Sequence, residues 1–415
     1  MEVFVAKQPI LNQKREHIAY ELFYRSGLKN SFPNIDGDRA TADVIINSFL
    51  NIGIEELSNG KPCFINFTKK LLLLGLPTYF KPQEIVVELS EATFPTEEIL
   101  AICSELKSLG YKIALDNVVL KNGNLYSEQL IQYIDIIKVD FLLTSKRTRR
   151  QIEKRAKERG IKLLAEKIET DEAFAEAKRY HYELFQGYFF AEPSIISTYD
   201  IPTYFFAHYE QLHEIILNET DMDVISDFIE KDVSLSYKLL KLVNSQYSRT
   251  KHKIYSVKQA VMMLGLMEIK KWLYVLSVRE KDKAKNDCAK EVVHLSLTRA
   301  KMCESIEKLK KKKKAPSTYF TLGLFSLMDR LAGVPMEKMI ENLPLHDDLS
   351  DALSGIQNPL KDVLDLVTAV EKAHWVGIRE KCRDLKIEEK DLFKIYAESL
   401  TWSEHLMKKE SQWVL

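Results

Sequence analysis

The chain has 415 residues, too many for one ordinary hydrophobic core, so two domains are expected. Its 60 lysines and arginines balance 60 aspartates and glutamates, leaving no net field to draw it to nucleic acid or an anionic membrane. The five cysteines are scattered without a CxxC pair, which excludes a disulfide frame and a zinc knuckle. No uncharged apolar run reaches the roughly 18 to 20 residues of a spanning helix, and MEVFVAKQPI does not read as a signal peptide. A cytoplasmic location is the expectation.

In chain order, the first half alternates short apolar strand-like runs with helix-like stretches. The strand runs are VFVAKQPI, HIAYELFYR, CFINFT, EIVVELSE, KIALDNVV, IDIIKVD, KLLAEKIE and LFQGYFFA. The first two have no helix between them, which predicts a hairpin-like or antiparallel pair there. Among the helix-like stretches, TEEILAICSELKSLG has Thr96 as N-cap and Gly110 past its end. SKRTRRQIEKRAKERG closes on Gly160, and TDEAFAEAKRY opens on Thr170. Eight such units in about 200 residues favour a TIM-like (β/α)8 barrel. After Pro193 the strand signal stops, and nearly everything up to residue 407 reads as helix. The expected organisation is a barrel over residues 1–200, an α-helical bundle over 201–407 and a C-terminal tail over 408–415.

The strand runs carry Glu21, Asn66, Glu88, Asp116, Lys138, Glu166, Glu169 and Gln186 at or near their ends. In a parallel barrel, polar residues at C-terminal strand ends converge on one mouth. Glu21, Asn66, Glu88 and Asp116 form an all-oxygen set that suits a hard ion such as Mg2+ or Mn2+ better than zinc. Glu166 and Glu169 could hold a second ion. Lys138 could orient or deprotonate a water, or stabilise a phosphoryl oxygen, as in two-metal hydrolysis of a phosphodiester. The competing reading assigns each acid to a separate surface salt bridge.

These motifs, in order, resemble those of the EAL-domain cyclic-di-GMP phosphodiesterases. YELFYR stands at the family's signature, followed by INF, VELSE, ALDN, IKVD, AEKIET and FQGYFF. The resemblance implies a metal-dependent site that opens cyclic di-GMP to the linear dinucleotide. Glu21, Asn66, Glu88 and Asp116 would hold one metal, and Asp116 and Glu166 would help hold another. Lys138 would activate water, Leu22, Arg25 and Gln186 would contact nucleotide, and Glu91 would brace a loop. The resemblance also implies a homodimer. This chain departs from the family at Asn117, which replaces an aspartate, and over Val118–Gly123, which replaces a glycine-rich loop. Lys167 stands where the family usually has glycine. An amide lacks the charge of a carboxylate, so metal binding through Asn117 would be weak. A degenerate site that binds or senses cyclic di-GMP is therefore expected ahead of a weak phosphodiesterase, and a ligand-free scaffold comes third.

The helical half resembles the HDOD domain, an HD-like bundle without the catalytic residues, over VSLSYKLLKLVNS, IYSVKQAVMMLG and GLFSLMDRL. Ser326 and Leu327 stand where an active relative has His-Asp. His346-Asp347 reads as a helix cap, so no cofactor is expected in this half, and its implied role is to bind a signalling protein. The run Lys308–Lys314 reads as a solvated helix end and is the only local hint of an anionic partner.

Overall fold

The computed structural model describes residues 2–25, 37–90, 96–116, 120–121, 124–125, 128–201, 221–247, 253–280, 287–309, 316–341 and 343–412. The chain divides into two compact units, Glu2–Thr198 and Tyr199–Leu415.

In the first unit, β1 (Glu2–Asn12) and β2 (His17–Arg25) form the expected antiparallel hairpin. The parallel strands β3 (Cys63–Phe67), β4 (Ile85–Ser90) and β5 (Lys112–Asp116) follow. A two-residue ladder, β6 (Leu120–Lys121) with β7 (Asn124–Leu125), stands apart from the main sheet. The barrel resumes with β8 (Ile136–Asp140), β9 (Lys162–Glu166) and β10 (Leu184–Phe185). It closes where β1 meets β10 antiparallel, with Leu11 opposite Phe185 and Asn12 opposite Leu184. All eight strand-like runs therefore become barrel strands.

A further strand, β11 (Ser194–Tyr199), was not evident in the sequence. Its polar, half-exposed SIISTY lacks a clean two-residue alternation. At 11 residues, β1 is long enough for β10 to use only Leu11 and Asn12 and leave the rest of that edge for β11.

The helix ends follow local chemistry. The Thr96 side chain accepts from the Ile99 amide ahead of Glu97–Ser108, and Thr170 does the same from Ala173 ahead of Asp171–Arg179. Gly160 ends Lys146–Arg159 in the left-handed conformation, where the absent Cβ avoids a clash. Inside the barrel a ring of Ile10, Ala19, Phe64, Val86, Ala114, Ile136, Leu164 and Leu184 takes one residue from each barrel strand. All eight are at most 8% exposed, which makes the barrel interior a packed core and not a channel.

The second unit is helical, as expected. Its long helices are Val233–Tyr247, Val257–Glu280, Asp287–Leu309, Pro359–Glu371 and Glu389–Gln412. Gly265 kinks the second of these through a non-helical φ of 73°. Gly323 allows its helix to touch Asp287–Leu309, since a Cβ there would lie 2.5 Å from the Ala300 backbone. The last helix runs to Gln412, past the expected tail boundary at residue 407. Among the described residues no helix is long and apolar enough to cross a membrane.

Candidate active site at the barrel mouth

Side chains alternate across a strand, so the residues two steps from the apolar ring face the same interior, one layer nearer the mouth. Counting two residues onward along β2, β3, β4, β5, β8 and β9 gives Glu21, Asn66, Glu88, Asp116, Lys138 and Glu166. The same step past β10 gives Gln186. Because β1 runs the other way, two residues back from Ile10 gives Gln8. A complete polar ring thus lies directly on a complete apolar one. Asn66 stands directly opposite Glu88, whereas the stagger of the barrel strands sets Lys138 opposite Leu164 and Asp140 opposite Glu166.

Lys138 is the hub of this ring and is only 1% exposed. Its ammonium donates to Glu21 Oε1 at 2.9 Å, to Glu166 Oε1 at 2.8 Å and, closely, to Glu88 Oε1. Gln186 Nε2 donates to Glu21 Oε2 at 2.8 Å and to Gln8 Oε1 at 3.1 Å, and Gln8 Nε2 donates to the Ala191 carbonyl at 3.1 Å. The carboxylates are therefore part of one buried network, not of separate surface salt bridges.

One ammonium cannot neutralise three carboxylates. Burial pushes the Glu88 carboxyl well above the usual range, and Glu21 adds to it against the pull of Lys138. Burial likewise pushes Glu166 up to about 8, opposed by Lys138 and reinforced by Asp116 and Glu21. For Lys138, burial disfavours the charge, but Glu166, Glu21, Glu88 and Asp116 together raise it well above the ordinary lysine value. Lys138 is thus a cation in this arrangement. It can orient a group or stabilise an oxyanion, but it holds no free lone pair with which to take a proton from water.

Among the described residues no group of three or more His, Cys, Asp or Glu side chains is already arranged to hold a metal ion. The acids close on Lys138 instead. The donor set nevertheless fits a hard divalent cation, being all oxygen with carboxylates in excess. Among the described residues Glu88 Oε2 and Gln186 Oε1 are buried without a hydrogen-bond partner, which is costly unless something else satisfies them. Glu21, Asn66, Glu88, Asp116 and Glu166 are the residues that could hold such an ion.

The remaining sequence candidates lie as follows. Arg25 is 2% exposed, donates to the Tyr24 carbonyl at 2.9 Å and lies 5.9 Å from the Phe23 ring centre. Leu22 is buried on the opposite face of β2 from Glu21, so its side chain points away from the mouth; strand alternation decides this against the expected nucleotide contact. Glu169 is exposed, three residues past the end of β9, and does not join the ring. Asn117 and Glu91 lie outside the described residues, as does all of Val118–Gly123 except Leu120–Lys121. Sequence reading missed Gln8, whose only signal is its two-residue spacing from Ile10 on a strand running backwards.

In the helical unit, His346 does cap Asp347–Leu353, accepting from the Asp348 amide at 3.3 Å. Ser326 accepts from Arg299 Nη1 at 3.2 Å, and Arg299 forms a two-pronged pair with Glu371 at 2.7 and 2.9 Å. An ion pair therefore occupies the neighbourhood of Ser326. Lys308 donates to Glu304 at 2.6 Å, and residues 310–314 of the run lie outside the described residues.

A closed barrel whose mouth gathers buried carboxylates around one lysine, followed by a helical unit, defines the class. The chain matches the EAL domain over residues 34–193 and the HDOD domain over residues 207–341. It is 42% identical over 411 residues to the uncharacterized protein YuxH of Bacillus subtilis, covering 98% of this chain and 99% of that one. It is also 34% identical over 407 residues to the cyclic di-GMP phosphodiesterase CdgJ of Vibrio cholerae, covering 97% and 93%. A solved manganese/cy-diGMP complex of Klebsiella pneumoniae BlrP1 is 20% identical over 48% of this chain and 60% of that one, with a TM-score of 0.38. The chain belongs to the family of EAL-domain proteins that also carry an HDOD domain. The EAL match begins after β2, so Gln8, Glu21 and Arg25 precede the matched residues.

Proposed function

We propose that this chain binds cyclic di-GMP at the barrel mouth together with Mg2+ or Mn2+, and passes the occupied state to a protein partner through its HDOD domain. The observation that carries the reading is the ring built around Lys138. It offers buried carboxylate oxygen in excess of its positive charge, and Glu88 Oε2 finds no partner among the described residues. Such a site gains from a divalent cation, which in turn supplies positive charge for a phosphodiester. Glu21, Asn66, Glu88 and Asp116 hold the ion, Glu166 shares it, Lys138 faces the phosphoryl oxygens as a fixed cation, and the Arg25 guanidinium takes the outer phosphate. Asn117 contributes an amide in place of a charge, which limits turnover.

A second reading, slow hydrolysis to the linear dinucleotide, is favoured by the 34% identity to CdgJ across nearly its whole length. Calorimetry of the full chain with cyclic di-GMP, in Mg2+, Mn2+ and chelator, tests the first reading, and chromatography for linear product tests the second. Binding without product supports a receptor. Product that disappears in Glu21→Ala supports the enzyme, and no binding at any metal concentration removes both.

A further inference from the structure

One residue at the mouth belongs neither to the ring nor to the barrel core. Lys167 follows Glu166 directly and has a φ of 54°. This left-handed region suits glycine and costs other residues strain. Asn59 and Lys386 share it, but they end helices, where a left-handed residue is routine. Lys167 ends a strand.

The backbone holds it there from both sides. The Glu166 carbonyl accepts from the Phe141 amide at 3.1 Å, and the Ile168 amide donates to the Gln186 carbonyl at 3.0 Å. The Ile168 carbonyl accepts in turn from Phe189 at 3.0 Å, and a Cβ at Gly187 would lie 2.1 Å from that same oxygen. A strained conformation fixed this firmly beside a site is a reason to ask what its side chain does.

The ammonium of Lys167 bonds Asp140 Oδ2 at 2.6 Å, and its side chain is 54% exposed. Asp140 keeps two partners without it, because Asp140 Oδ1 also accepts from the Leu142 and Leu143 amides at 2.8 and 2.9 Å. Water reaches the lysine end of the pair, which weakens it, while Asp140 keeps its two amide donors if the lysine leaves. Asp140 stands opposite Glu166 in the β8–β9 register, and β8 lies between β9 and β5, so the ammonium leans from Glu166 toward the strand that carries Asp116.

The geometry points to Lys167 as a phosphate-contacting residue that releases Asp140 when a phosphodiester ligand enters and supplies positive charge beside Asp116 and Glu166. This rests on the function proposed above and adds to it a mobile cation on the side of the ring where Asn117 follows Asp116.

The test uses the full chain, with Lys167→Gly, which relieves the strained φ while removing the charge, and Lys167→Arg, which keeps the charge. Two quantities are measured by calorimetry: affinity for Mn2+ alone, and affinity for cyclic di-GMP at saturating Mn2+. Losing one unit charge at several ångströms should tighten Mn2+ in Lys167→Gly by about fivefold and weaken the nucleotide by about tenfold. Lys167→Arg should stay within about threefold of wild type for the nucleotide. Nucleotide affinity unchanged in a folded Lys167→Gly overturns the inference, whatever Mn2+ does, and leaves the proposed function standing. If the wild-type chain itself binds no cyclic di-GMP, the proposed function falls and this inference falls with it.

Discussion

Replacing Lys138 with methionine keeps most of the side-chain volume and removes the one cation at the centre of the ring. Its ammonium contacts Glu21, Glu88 and Glu166 while 1% exposed, so the change strands three carboxylates in a nearly dry interior. Removing one partner of a buried charge pair costs about 3–5 kcal/mol. The sign of the pH dependence follows from the folded-state shifts. Glu88 and Glu166 have raised pKa values, Glu166 reaching about 8, above the usual carboxylate value of about 4.3. Between those limits the folded chain binds more protons than the unfolded one, so the stability these acids contribute is greatest in acid and declines as pH rises to 8. Without the ammonium, the ionised forms lose their main support. Lys138→Met should therefore cost about 3–5 kcal/mol at pH 8 and about half as much at pH 5, where the carboxyls take up protons. All four tryptophans lie at position 272 or later, so tryptophan emission does not report on the barrel. Hydrogen exchange of peptides covering Ile136–Asp140 and Lys162–Glu166 does. An equal penalty at both pH values, or one below about 1 kcal/mol at pH 8, would refute the buried-hub argument.

Gln8→Leu removes both hydrogen bonds through which Gln8 links Gln186 to Ala191, and should cost about 1–3 kcal/mol by chemical denaturation while loosening Mn2+ binding severalfold. Asn117→Asp restores a carboxylate beside Asp116; calorimetry should find Mn2+ bound about tenfold more tightly, and an unchanged affinity would shift attention to the loop that follows. Gly323→Ala drives a Cβ against the Ala300 backbone, so the thermal midpoint read by tryptophan emission should fall by several degrees, for about 1–3 kcal/mol.

The barrel was legible because strand and helix periods alternate cleanly and the caps Thr96, Thr170 and Gly160 have side chains or flexibility suited to their positions. Seven of the eight ring residues were legible too, since each is a polar residue within, or just past, an apolar run of a strand that runs parallel to a neighbour. Gln8 escaped because β1 runs antiparallel and its inward polar residue precedes the apolar one. Leu22 and Glu169 were misplaced for another reason: closeness in sequence to a site residue does not decide which face of a strand, or which side of its end, a side chain takes. The charge state of Lys138 depends on three carboxylates from separate strands meeting at one nitrogen, and no local pattern encodes that. β11 was hidden because its polar sequence becomes a strand only against the free edge of β1.

The closure of the barrel through β1 also bears on how the site comes into being during synthesis. Gln8 and Gln186 are 178 residues apart in the chain yet share a hydrogen bond, and β1 leaves the ribosome long before its partner β10 exists. Until then β2 can pair with both β1 and β3, but the far edge of β1 stays open and invites wrong partners. The ring is among the longest-range features of the unit, so its carboxylates assemble late, after the loop-closure entropy of nearly the whole barrel has been overcome. A truncation before β10 would leave Glu21, Glu88 and Lys138 in the chain but no ring for them to complete.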